Sequence, residues 1–215
     1  MAIKNILFDW DGCIVNTLPV WLSSYKELFN ELSLFPTDEQ IVDKVFGERF
    51  GPLNLGLPKT ELVEFYKKLE VKITKGLLSD DVISSNKKEV LKKLKTLGLN
   101  LCIVTSSQKK YILPLLKKHN LENLFEFTLD INDVKKHKPN PEIVNLALDK
   151  FKAVPESSLI VGDSVKDIKA GRAANIKTCL YYPVGHKKFY PEYVLIKPKP
   201  DFVIEEFSEL LAILL

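Results

Sequence analysis

Cysteine is scarce. Cys13, Cys102 and Cys179 stand far apart among 215 residues, and no two form a C-x-x-C pair. That spacing argues against a zinc ribbon, a redox pair or a disulfide framework, and it fits a reducing cytoplasm. Arginine is scarcer, with Arg49 and Arg172 alone. Guanidinium forks are the usual readers of guanine and phosphate, so a dedicated nucleic-acid binder is not expected. The small basic excess, 31 Lys and Arg against 28 Asp and Glu, is nearly all lysine. Segments such as Lys87-Lys88-Glu89 read as solvated helix faces. No apolar run approaches the ~18 residues of a membrane span. The first residues, Met1 to Asp9, lack the apolar stretch of a signal peptide, so a cytoplasmic protein is expected. Internal repeats and low-complexity tracts are absent.

Hydrophobic residues make up 46% and charged residues 27%, which excludes a disordered or collagenous chain. At about 150 residues per domain, the length fits one large domain or one domain with an insert. Ile3 to Phe8 is a short apolar run ending at Asp9-Trp10-Asp11-Gly12, which reads as a buried strand and turn. From Thr17 to Ser79 the pattern is helical. Trp21, Tyr25, Leu28, Phe29 and Leu32 form one stripe. Ile41, Val42 and Val45 form a second, after a start at Thr37, and Leu62, Phe65, Tyr66 and Leu69 form a third. From residue 80 onward strands and helices alternate: strands at 99–104, 125–129, 158–161, 176–181 and 201–204, and helices at 87–97, 110–119, 141–151, 165–174 and from 206.

Such alternation predicts an α/β fold, a Rossmann-like three-layer core with a parallel sheet. The helical block is expected to be a small α-helical cap domain, residues 17–79, inserted into a core of 1–16 and 80–215. The segment from Pro183 to Pro200 reads as an ordered excursion.

Ligands in open α/β sheets gather at the carboxyl ends of the strands. Asp9 and Asp11 follow the first strand. Thr105, Ser106 and Ser107 follow the second. Lys138 precedes the helix at Pro141. Gly162-Asp163-Ser164 follows the fourth, with Asp167 one turn on. Acids alone would repel, so a divalent cation is implied, and hard oxygen donors favour magnesium over zinc. A lysine beside such a site suits an anionic substrate, and phosphate is the simplest. One carboxylate could attack phosphorus while another, two residues on, moves the proton.

These segments resemble the motifs of the haloacid dehalogenase superfamily of phosphohydrolases. The first, D-x-D-G with a later Thr or Ser, stands as Asp9-Trp10-Asp11-Gly12-Cys13-Ile14-Val15-Asn16-Thr17. The second is Ile103-Val104-Thr105-Ser106, the third Lys138-Pro139-Asn140-Pro141, and the fourth Gly162-Asp163-Ser164-Val165-Lys166-Asp167. The helical insert resembles the cap of the phosphoglycolate phosphatase and β-phosphoglucomutase subgroup. The resemblance implies that Asp9 is nucleophile and magnesium ligand, and Asp11 general acid/base with its backbone carbonyl on the metal. It implies Thr105 on the phosphoryl group and Lys138 between nucleophile and phosphate. Asp163 would ligate magnesium, and Asp167 would orient ligands or metal-bound water. Cys13 and Asn16 replace a usual Thr and Asp.

Ser106, Asn16 and Arg49 are candidates for binding substrate, Arg49 as a clamp for a second anionic group. Each motif has a plainer reading. Asp-Gly makes turns, Asp and Thr cap helices, and a lysine is usually surface. The coincidence of all four in order favours a catalytic site. Cys13 is a poor nucleophile beside so many acids. His119 is expected as an exposed helix cap and His137 as loop surface, and His186, in Pro183-Val184-Gly185-His186, could face the site entrance.

The expected activity is magnesium-dependent hydrolysis of small phosphorylated metabolites through an aspartyl-phosphate. A phosphomutase is the alternative. A dehalogenase is disfavoured by Asp11, and a phospho-accepting receiver by the G-D-S-x-x-D motif. A binding protein is disfavoured because no motif residue is missing. Substrate and oligomeric state are not legible.

Overall fold

The computed structural model describes residues 2–48, 50–79, 82–189 and 198–214. The chain divides into two compact units, one of Met1–Val15 with Ile83–Leu215 and one of Asn16–Val82.

The first unit is built on six strands: β1 (Asn5–Phe8), β2 (Asn100–Val104), β3 (Phe127–Leu129), β4 (Ser158–Gly162), β5 (Lys177–Tyr181) and β6 (Phe202–Ile204). They pair in parallel in the order β3-β2-β1-β4-β5-β6. β1 and β4 are buried throughout, as strands covered on both faces must be, and after the polar Asn5 and Ser158 at their starts they read as apolar runs. Among the described residues this unit holds the α-helices α4 (Ser85–Thr96), α5 (Lys109–Lys118), α6 (Glu142–Phe151), α7 (Val165–Ala173) and α8 (Leu210–Leu214), numbered after those of the second unit. Leu7, Cys102, Val104 and Ile160 pack with Ile143, Val144 and Ala147 of α6 and Ala170 of α7. Phe8 alternates to the other side. Its ring lies 5.8 Å from Phe207 and 6.5 Å from Phe125. This is the parallel α/β sheet that the alternation predicted. The chain runs β1–β2–β3 outward, then returns to place β4 against the free side of β1. The switch point therefore falls between the carboxyl ends of β1 and β4.

The second unit contains α1 (Leu18–Glu31), α2 (Asp38–Lys44) and α3 (Leu62–Ser79). Thr37 starts α2 with a reciprocal cap: its hydroxyl accepts from Gln40 N, and Thr37 N donates to the Gln40 side chain. The helical stripes meet in an aromatic core. Phe29 and Phe65 rings lie 5.2 Å apart, and Tyr25 lies 6.2 Å from Phe65.

Sequence and structure differ in places. β3 begins at Phe127, after a 3-10 turn at Glu122–Leu124, and Phe125 sets its ring against Phe8. The last helix opens as one 3-10 turn, Phe207–Glu209, before α8. His119 ends α5 half-buried rather than exposed. The expected excursion from 183 to 200 falls partly outside the described residues. No helix among the described residues is long and apolar enough to cross a membrane.

Candidate active site

Asp9 extends β1 by one residue, with its amide donating to Val161 O at 2.8 Å. The turn behind it is tight. Gly12 takes φ +77°, its amide donates to Val15 O at 2.8 Å, and Val15 N donates to Trp10 O at 3.1 Å. That left-handed conformation favours glycine, which lacks a Cβ. The turn leaves Asp9 buried and Asp11 half-buried on the same end of the sheet.

Lys138 is buried, and its ammonium has three acceptors for its three protons. Asp9 Oδ1 and Asp167 Oδ1 each lie at 2.6 Å and Val104 O at 3.1 Å. Asp167 sits on the first turn of α7, and its other oxygen accepts from Ser164 Oγ at 2.7 Å and Ser164 N at 3.2 Å. A Cβ on Gly162 would come within 2.3 Å of Asp167 Cγ, so glycine is required for this carboxylate to lie over the strand end.

Asp163 is buried, and its Oδ2 has no hydrogen-bond partner among the described residues. Carboxylate oxygens of Asp9, Asp163 and Asp167 lie within 4.8 Å of one another. Three acids thus face one lysine. Burial pushes Asp9 up to about 7; Lys138 pulls it down, but repulsion from Asp167 and Asp11 adds to the burial. Burial and its acidic neighbours push Asp163 well up. Lys138 itself is pushed up, because two carboxylates outweigh its own burial.

An orphaned buried carboxylate oxygen, an all-oxygen donor set and an excess of negative charge fit a hard divalent cation such as magnesium. Asp11 contributes no carboxylate to the cluster, which is compatible with a backbone role.

Thr105 is buried at the end of β2, its amide on Leu129 O at 3.1 Å. Its hydroxyl accepts from Ser107 N at 3.0 Å. Ser106 is half-buried in this turn, but it is Ser107 whose hydroxyl donates to Asp11 Oδ2. Asn16 belongs to the other unit and is exposed. Arg49 lies outside the described residues.

Two further residues neighbour the site, and the first escapes a sequence reading. Lys87, read above as part of a solvated face, is instead buried. Its ammonium donates to Cys13 O and lies 4.5 Å over the Tyr181 ring. Burial pulls it down to about 8. The signal was in the spacing: Lys87 precedes Val90, Leu91 and Leu94 at helical intervals, on the buried stripe of α4. His186 is also buried, with Nδ1 3.8 Å from Asp163 Oδ2. Burial first, then Lys87, pull it down to about 4, so it is neutral at pH 7. No periodicity marks it. The Cys13 thiol is pushed well up by burial and by Asp9, and is no nucleophile.

The family model for haloacid dehalogenase-like hydrolases matches residues 6–181. The pyrophosphatase PpaX of Bacillus pumilus is 30% identical over 221 residues, covering 99% of this chain and 96% of that protein. Among solved structures, a predicted phosphoglycolate phosphatase from Haemophilus somnus 129PT superposes with TM-score 0.82 at 24% identity, covering 98% and 97% of the two chains. The β-phosphoglucomutase of Clostridium difficile gives 0.79 at 18%, covering 97% and 93%. At these identities the two structures speak for the fold.

Proposed function

The chain belongs to the haloacid dehalogenase-like hydrolase family, and from that premise we propose that it is a magnesium-dependent phosphatase of small phosphorylated metabolites. The observation that carries this reading is the Lys138 ammonium bridging Asp9 and Asp167 beside the unpartnered oxygen of Asp163. Asp9 attacks phosphorus, and the ester P–O bond breaks as Asp11 gives its proton to the leaving oxygen. Water then attacks the phosphoryl group, Asp11 takes a proton from it, and the bond to Asp9 breaks. Lys138 holds the Asp9 carboxylate aligned. Thr105 offers its hydroxyl to the phosphoryl oxygens. Asp9, Asp163 and the Asp11 carbonyl would hold magnesium, which supplies positive charge against the developing phosphoryl charge.

The end-to-end likeness to a pyrophosphatase favours a second reading, with inorganic pyrophosphate as substrate and phosphate as leaving group. The phosphomutase alternative has only likeness of fold behind it.

The test is phosphate release from pyrophosphate, phosphoglycolate, a sugar phosphate and p-nitrophenyl phosphate, with magnesium or with excess chelator. Release is expected only with magnesium, and calcium should inhibit, since its looser, higher coordination spoils the attack geometry. Full activity in chelator would overturn the reading.

A further inference from the structure

We infer that Lys87 is a positioning residue for the reaction: its ammonium, by holding the Cys13 carbonyl, anchors the turn that carries Asp11. The inference rests on the phosphatase reading, in which that turn presents both the acid and a carbonyl for the magnesium.

Lys87 is placed by its own helix. Ser84 caps α4, and its hydroxyl accepts from Lys87 N at 3.4 Å. Lys87 thus opens the buried stripe that continues in Val90, Leu91 and Leu94. Its ammonium donates to Cys13 O and lies 4.5 Å from the centre of the Tyr181 ring and 5.4 Å from that of Phe207. A buried ammonium is costly, and a leucine or methionine would fill such a stripe position without that cost. What an apolar residue cannot do is donate to a carbonyl.

The carbonyl it reaches belongs to the turn of the site. Within that turn Gly12 N donates to Val15 O at 2.8 Å and Val15 N to Trp10 O at 3.1 Å, so the loop closes on itself. Closure of this kind shapes the loop without fixing it to the sheet. Beside the Ser107 hydroxyl on Asp11, Cys13 supplies two attachments. Its thiol donates to Val161 O at 3.5 Å, the carbonyl that also accepts Asp9 N at 2.8 Å, and its own carbonyl is held by Lys87. A thiol is a weak donor, so the charge-assisted bond from Lys87 is the stronger of the two. Asp11 lies two residues before this anchor, and its backbone moves with it. A shift of about 1 Å there would misplace the acid, an error that costs up to ~10²-fold in rate.

Lys87→Met keeps the length of the side chain and removes the donor. Relief of the buried charge offsets the lost bond, so the urea midpoint should stay near that of the wild type. In the metal-free protein, amide exchange at Gly12 and Val15 should quicken about tenfold, the scale of one charge-assisted hydrogen bond. The amides of β1 and β4 should keep their rates. With magnesium saturating, kcat should fall about tenfold to a hundredfold. Lys87→Arg, which keeps a cationic donor, should recover most of both. Exchange that quickens equally in turn and strands, or a Lys87→Met chain that does not fold, would make Lys87 a structural residue and overturn the inference. A normal kcat, or a lowered kcat with exchange of the turn unchanged, would overturn it too. Absence of phosphate release by the wild type from every substrate of the phosphatase test would instead overturn that reading, and the inference with it.

Discussion

The two units of this chain bury different things. The helical unit buries rings: Tyr25, Phe29 and Phe65 stack within 6.5 Å of one another, and its described buried polar residues are the neutral Thr17 and Ser24. The sheet unit buries charge: Asp9, Asp130, Asp163, Asp167, Lys87 and Lys138. Burying a charge costs several kcal/mol unless partners repay it. A fold under selection for stability alone would resemble the helical unit. The sheet unit carries three acids with one lysine among them at one end of the sheet, an excess for which the proposed chemistry would be the physical reason.

Substitutions should therefore sort by unit. The largest effect is expected from Asp9→Asn, which removes the attacking charge and should lower turnover by about 10⁴-fold or more while the fold persists. Near-normal turnover, or no phosphoenzyme in the wild type after acid quench, would break the contrast on the sheet side. Next, Phe65→Ala removes a buried ring from the helical unit and should destabilise it by about 3–5 kcal/mol. Proteolysis or hydrogen exchange localised to residues 16–82 would read this. A cost under about 1 kcal/mol would mean that the aromatic core is not what holds that unit.

The same contrast explains what was legible in the sequence. Asp9, Asp11 and Asp163 follow short, mainly apolar strands and Asp167 lies one turn further on, so a local pattern marks them. Lys138 stands out by its place in the loop before the helix at Pro141 and by the resemblance, since its residue type alone does not separate it from the other lysines. Ser106 was the residue of this turn named for binding substrate, while the contact of Ser107 with Asp11 is set by the turn's own hydrogen bond from Ser107 N to Thr105 Oγ1, which residue order does not show. Lys87 was misread because charge was weighed before phase. Its position on the buried stripe of α4 outranks its residue type once Cys13 O and the Tyr181 ring receive the ammonium. In the helical unit the spacing of three and four carried nearly everything, because apolar packing follows periodicity and leaves few exceptions.

The smallest expected effect is the most discriminating, because it separates stability from chemistry at one residue. Without metal, folded Asp9 keeps its proton to about pH 7, against 3.8 for the ordinary carboxyl. Between those values the folded state binds more protons than the unfolded one. Wild-type stability from this group therefore falls as pH rises from about 4 to 7, then levels off. A rise from 3.8 to about 7, at ~1.36 kcal/mol per tenfold in proton affinity, sets a ceiling of about 4 kcal/mol, and relaxation of the buried site reduces it to about 1–3. Asp9→Asn carries no such charge, and it also relieves Asp163, which Asp9 pushes up. His186, whose lowered value acts in the opposite direction, is common to both proteins and largely cancels. In chelator the variant should be the more stable protein at pH 8, and its advantage should shrink toward pH 5. Magnesium should close the gap by favouring the wild-type carboxylate. Urea midpoints at pH 5, 7 and 8, with and without magnesium, measure all of this. A wild type more stable than the variant at pH 8 in chelator would mean that Lys138 already compensates the buried acids, and that the sheet unit stores no excess charge for a cation to neutralise.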